Sequence, residues 1–351
     1  MKLCKVSDLK GGEILAKPII TNDYKVLLSE ETILRKDYVQ KLIDLEITEV
    51  YIKDKDHVHM QEVVLLKSEV EESFKEKVKE VLERHTYNNS GELAELQSTA
   101  EGIISNILEE EEVVEKIFDI KERSADIYEH SISLCSLSTL TALKLNRDEG
   151  EVHDIGVGCL LHDLGLRYLT VDYVDKDPSE FSKLETMEYL KHPVYGYSAV
   201  KDEGWLSPLA KNIILYHHER LDGNGFPLKA TDIPYAVGIV SLCDTFDEMI
   251  CGIGCKRVKV YEAVEYLKTF KGVKYYADAI DTFLEFTAVY PVGSTVILSD
   301  GSQGKVVRQN REFPDRPVIL LSKDSSGKLI PRGKEADLTK INDIFIEKEL
   351  I

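Results

Sequence analysis

The stretch that decides the reading of this chain is Tyr216-His217-His218-Glu219-Arg220-Leu221-Asp222-Gly223-Asn224-Gly225-Phe226-Pro227. Adjacent helical residues diverge by about 100°, so two neighbouring histidines reach one metal cluster only at a helix end or between two ions. The glycines and the proline after them impose a fixed, non-helical loop. The histidine pair alone would be a polar helix terminus running into a turn. The whole string asks for more than that.

Other groups with metal-ligand chemistry lie around it. His162-Asp163 closes the apolar run Gly158-Cys159-Leu160-Leu161. A neutral imidazole and a carboxylate able to bridge hard cations make poor core and good ligands. A second copy, His153-Asp154, comes after the polar helix start Asp148-Glu149-Gly150-Glu151-Val152 and reads as solvated or capping. Asp244 stands inside Ile239-Val240-Ser241-Leu242-Cys243-Asp244-Thr245-Phe246-Asp247, where a lone carboxylate needs a partner. With several histidines in the same region, a metal is the expected partner.

These strings resemble the HD-GYP family in order. Residues 216–227 are similar to its HHExxDGxGYP signature, with Phe226 in place of tyrosine. Glu129-His130-Ser131 resembles its first histidine motif, and His162-Asp163-Leu164-Gly165 its HDxGK motif. Lys176 and Glu185 fit the segment between, His192-Pro193 with Gly196 resembles HPxxG, and Asp244-Thr245-Phe246-Asp247 resembles DxxDA. Tyr290-Pro291-Val292-Gly293-Ser294 recurs after such domains.

The resemblance implies a helical, metal-dependent phosphodiesterase that hydrolyses cyclic di-GMP to linear pGpG and onward to GMP, using two or three iron or manganese ions. The implied metal ligands are His130, His162, Asp163, His192, His217, His218 and Asp244, with Asp163 as the bridge. Asp126, four residues before His130, is the implied carboxylate for a third ion. Catalytic roles fall to Asp163, Arg167 and Lys176, and substrate contacts to Arg167, Lys176, Arg220, Gly223 and Gly225. Glu219, Arg220 and Asp222 equally suit bracing of the loop.

Two departures stand out. Leu166 replaces the HDxGK lysine, and Arg167 comes next. The arginine expected after DxxDA is missing, leaving Lys256 or Arg257 to serve unless both are plain surface charges. A guanidinium and an ammonium differ in reach and geometry. Ligands are kept while phosphate contacts drift, so a catalytically weak, metal-bound sensor of cyclic dinucleotides, or a protein-docking module, is the alternative. On this reading Leu166→Lys should hold or raise the rate.

Around this core the predicted fold is mainly α: an all-helical HD-type domain over 121–288, flanked by smaller modules. Residues 1–60 read as a small α/β module, with strands at Glu13–Ala16, Lys25–Leu28 and Glu49–Lys53 and a helix over Asp37–Ile43. Residues 61–120 read as charged helices, with a break and a Ser90 cap near Asn88–Gly91, acting as a solvated spacer or as the element that pairs a homodimer. Residues 289–351 read as a β-rich barrel or meander with strands at Thr295–Leu298, Gly304–Val307 and Pro317–Leu321.

The 351 residues are 43% hydrophobic and carry a formal charge of -19, which argues against duplex nucleic acid or an anionic membrane as partner. A small anion such as a cyclic dinucleotide is still acceptable, because bound ions dominate the local field. Protein partners would be those of second-messenger signalling. Six scattered cysteines, no signal-like N-terminus and no spanning apolar run predict a cytoplasmic protein with reduced thiols.

Overall fold

The computed structural model describes residues 2–20, 26–45, 47–53, 60–88, 91–109 and 113–350. The chain divides into two compact units, residues 1–60 with 122–124, and residues 61–121 with 125–351.

In the first unit β1 (Lys2–Lys5) pairs antiparallel with β4 (Glu49–Ile52), and β2 (Ile19–Ile20) with β3 (Val26–Leu28). Helix α1 (Lys36–Asp44) turns Val39 and Leu42 onto Val6, Leu15, Leu34 and Val50. The expected strand at 13–16 is present only as single bridges at Ile14 and Leu15, and β1 had no sequence signal beyond alternation. Lys25 and Ser90, named in the predicted strand and cap, lie outside the described residues.

The second unit is built around α4 (Ile127–Lys144) and α9 (Tyr235–Cys251), buried along most of their length. Asp126 starts α4 by accepting hydrogen bonds from the Tyr128 and Glu129 amides, and Gly252, at φ 82°, ends α9 in the left-handed region. α4 tolerates buried hydroxyls because Ser136, Thr139 and Thr141 donate to the carbonyls of Ile132, Cys135 and Leu137. Helices α5 (Glu149–Leu161), α6 (Lys183–Tyr189), α7 (His192–Val200), α8 (Pro208–Tyr216), α10 (Val260–Thr269) and α11 (Ala277–Phe286) complete the bundle. Asp148 caps α5, and Ser207 with Pro208 starts α8.

Helices α2 (Ser68–Asn88) and α3 (Glu95–Glu109) differ from the expected solvated spacer. Val78, Val81, Leu82, Leu96, Ala100, Ile103 and Ile107 lie in the same core as α4 and α5. Each fully buried Val, Leu or Ile contributes about 1.5–3 kcal/mol relative to exposure, and the charged outer face can stay solvated while the inner stripe packs. Asp119 ties the segment before α4 to the chain beyond α11, accepting from the amides of Val63 and Val292 and from the Gln309 side chain.

After α11 comes a five-stranded antiparallel sheet in the order β8 (Leu329–Asp337), β7 (Phe313–Lys323), β6 (Gln303–Asn310), β5 (Thr295–Leu298), β9 (Ile346–Glu349). It is a meander whose last strand returns to the edge of β5, and the three predicted strand pieces fall within β5, β6 and β7. Among the described residues no helix is long and apolar enough to cross a membrane. All six cysteines are free thiols.

Candidate metal centre

Helix ends and one helix interior bring the histidines together. His130 sits one turn into α4, His162 ends α5, His192 begins α7, His217 ends α8 with His218 next, and Asp244 lies mid-way along α9. The chain can turn sharply after His162 because Gly165 has no side chain: a Cβ there would lie 1.9 Å from the His192 carbonyl oxygen. That contact brings the His162-Asp163 corner against the start of α7.

All seven residues are at most 6% exposed, and their polar atoms form two neighbouring sets. In the first, His130 Nε2 lies 3.1 Å from His162 Nε2 and 3.2 Å from Asp244 Oδ1, while Asp163 Oδ2 lies 3.2 Å from His162 Nε2. In the second, His192 Nε2 lies 3.2 Å from His217 Nε2 and 3.3 Å from Asp163 Oδ1, with His218 alongside. The two oxygens of Asp163 therefore face different sets.

The far side of each ring fixes its tautomer. His162, His192 and His217 direct Nδ1 at the backbone carbonyls of Cys159, Tyr189 and Ile214, at 2.7, 2.8 and 3.0 Å. A carbonyl only accepts, so each Nδ1 carries a proton and Nε2 is left facing inward, where a metal ion or a second proton can bind it. His130 does the same through Asp247 Oδ2 at 2.7 Å, and Asp247 Oδ1 accepts from Ser133. Two nitrogen lone pairs facing each other at about 3 Å repel unless a cation lies between them.

The residues fit divalent metal. Metal–nitrogen bonds of about 2.0–2.1 Å place neighbouring ligand atoms about 3.0–3.4 Å apart, the spacing found here. Asp163 Oδ2, both Asp244 oxygens and His218 Nε2 are buried without a hydrogen-bond partner, an arrangement costly without a cation. The carboxylates draw positive charge inward. Burial opposes the charge on His162, yet Asp163 and Asp244 raise its pKa to about 10. Burial, reinforced by His162, pushes His217 down to about 3. Burial also opposes ionisation of Asp163, but His162, then His192 and His130, hold its carboxyl well below the usual range.

The other sequence-derived residues lie elsewhere. Asp126 is engaged as the α4 cap and pairs through Oδ2 with Lys75 Nζ at 2.9 Å. Leu166 is buried with Tyr189, Cys251 and Ile253 in an apolar cluster joined by Tyr173 and Phe226. A lysine there would bury its ammonium, which reverses the expectation for Leu166→Lys. Arg167 donates to the Tyr128 hydroxyl. Lys176 pairs with Asp172 at 2.8 Å on an exposed loop, outside both sets. Glu185 forms a capping box with Ser182.

The loop after His218 is braced internally. Glu219 accepts from the amides of Leu228 and Ala230. Arg220 donates to the carbonyls of His217 and Glu219 and to Ser241 and Thr245. Gly225 is there for close packing, since a Cβ would lie 2.5 Å from the His218 oxygen, and Gly223 adopts φ 71°. His153 lies near Glu101, at 3.6 Å, away from the ligands. Glu248, absent from the sequence-derived ligands, stands beside His218 and Asp244. Its signal was its position four residues after Asp244, on the same helical face.

Residues 127–249 match the HD domain family, and residues 295–351 match the KOW domain associated with HD domain. A cyclic di-GMP phosphodiesterase of Pseudomonas aeruginosa is 26% identical over 211 residues, covering 59% of this chain and 50% of the relative. One of Thermotoga maritima is 28% identical over 225 residues, covering 59% and 60%. The chain thus spans between half and three-fifths of the length of these two relatives. The solved structure of an HDG"Y"P protein from Bdellovibrio bacteriovorus superposes with a TM-score of 0.56 at 19% identity, covering 80% of this chain and 97% of that one, and shares its fold. The chain carries an HD domain, and the string from His217 to Pro227 resembles the HD-GYP signature.

Proposed function

We propose that this chain is a metal-dependent phosphodiesterase that opens cyclic di-GMP to linear pGpG and onward to GMP. The carrying observation is the division of Asp163 between two histidine sets, Oδ1 toward His192 and His217 and Oδ2 toward His130 and His162. His130, His162, Asp163 and Asp244 would hold one ion, and Asp163, His192 and His217 a second, with His218 alongside, and iron or manganese suits such mixed imidazole and carboxylate donors. Such ions supply Lewis acidity and charge neutralisation to a phosphodiester.

The chain's own residues do the rest. Asp247 and the backbone carbonyls lock the imidazoles in the donor tautomer. Leu166, Tyr189, Tyr173 and Phe226 place apolar surface around the ligands, which strengthens electrostatic interactions at the reacting phosphate. Arg167, half-buried four residues after Asp163, is the basic group assigned to a phosphate. Lys176, on its exposed loop, would reach the distal part of the dinucleotide. Arg220, Gly223 and Gly225 act on substrate through the shape of the loop they build. The named activities of the Pseudomonas and Thermotoga relatives support this substrate class.

One observation favours the second reading, a weakly catalytic sensor: the apolar burial of Leu166 leaves the HDxGK position without a charge. Purified protein reconstituted anaerobically with Fe(II) or Mn(II), incubated with cyclic di-GMP and resolved by chromatography, separates the two. Linear product supports the enzyme. Tight binding with no product supports the sensor and refutes the proposal.

A further inference from the structure

Glu248 lies one helical turn beyond Asp244 on α9, and its side chain is 13% exposed. Its Oε1 is 3.8 Å from His218 Nε2, and His218 Nδ1 is 3.7 Å from Asp244 Oδ2. One ligand atom from each of the three residues lies within 4.8 Å of the others. Two observations point into this space. His218 Nε2 and Asp244 Oδ2 are buried and have no hydrogen-bond partner. Asp244 is also divided: Oδ1 faces His130 and His162, and Oδ2 faces His218.

The carboxylate that the sequence resemblance assigned to a third ion is otherwise engaged. Asp126 Oδ1 accepts from two amides at the start of α4, and Oδ2 is paired with the ammonium of Lys75 from α2. Lys75 lies 3.8 Å from Glu129 as well, so fixed positive charge already stands on that side.

We propose that His218, the second oxygen of Asp244 and Glu248 form a third divalent-cation position, one that does not use Asp126. The inference rests on the two-ion reading above and adds to it a ligand outside the set that the sequence resemblance implies. Two carboxylates and one imidazole suit manganese or ferrous iron, which accept mixed oxygen and nitrogen donors. Asp244 would then join the first position to the third, as Asp163 joins the first to the second.

The test is metal content in the full chain. Wild type and Glu248→Gln, which keeps size and removes the anionic donor, are loaded anaerobically with Mn(II), desalted and measured by elemental mass spectrometry. The expected result is three ions per chain in wild type and two in the variant, with equal circular dichroism. Two in both proteins, or three in both, would overturn the third position while leaving the pair intact. None in wild type would overturn the pair and the third together. Anomalous diffraction from Mn-loaded wild-type crystals gives an answer that does not depend on the variant's folding. A peak bonded to Glu248 supports the site, and peaks only at the Asp163 pair refute it.

Discussion

Asp247 touches no ligand position itself, yet it should set the affinity of one ion. Its Oδ2 accepts the Nδ1 proton of His130 at 2.7 Å, and its Oδ1 accepts from the Ser133 hydroxyl at 2.7 Å. Both atoms must accept, and an asparagine offers only one acceptor. In Asp247→Asn, either the amide donates to the Ser133 hydroxyl, which must turn to accept while a neutral amide oxygen replaces the carboxylate at His130, or the amide donates to His130 Nδ1. The second outcome moves the imidazole proton to Nε2, where it points at the cation. Loss of such a supporting carboxylate weakens metal binding about 10–100-fold, or about 1.4–2.7 kcal/mol. Competition between protein and a chelating dye during Mn(II) titration reads the change directly. The weakened ion should be the one at His130 and His162, because His192 and His217 are oriented by backbone carbonyls that the substitution leaves in place. Unchanged affinity for every ion would refute the claim that Asp247 fixes the donor tautomer.

Gly165→Ala would set a methyl 1.9 Å from the His192 carbonyl oxygen. It should lower stability by about 3 kcal/mol or more and release metal, read by thermal melting and metal analysis. Leu166→Lys should destabilise by about 2–4 kcal/mol without raising turnover, since the position is only 2% exposed among apolar neighbours; a denaturant midpoint and a rate check both parts. Arg167→Ala should slow hydrolysis by about one to three orders of magnitude at unchanged metal content, measured by product chromatography. A wild-type rate there would mean that phosphate stabilisation needs no guanidinium.

His162 and the His217-His218 pair were legible because their strings make poor core, one after an apolar helix and the other before a glycine-rich loop, while His130 and His192 were legible through the family resemblance. Asp244 was legible for the same reason as His162. What escaped was long-range or read as surface. Glu248 lies four residues after Asp244, near the end of α9, and only its approach to His218, on a different element, shows that the position has a role. Lys75 reaches Asp126 from α2, and no local pattern announces that pairing. The Glu- and Lys-rich outer face of α2 suggested a spacer, while its inner stripe of Val78, Val81 and Leu82 joins the core. For Arg220 the sequence leaves substrate contact and loop bracing both open, and its donors are directed at carbonyls and hydroxyls of its own loop and of α9.

One carboxylate serving two ions is the feature on which the proposed chemistry depends. Asp163→Ala, prepared beside wild type and loaded with Fe(II) or Mn(II) under anaerobic conditions, tests it by metal content per chain together with hydrolysis of cyclic di-GMP. Asp163 Oδ2 lies 3.2 Å from His162 Nε2 and Oδ1 lies 3.3 Å from His192 Nε2, so the substitution removes a donor from both sets at once. Both positions should weaken together, and turnover should fall with them. Retention of the full metal complement and rate by Asp163→Ala would contradict the shared bridge.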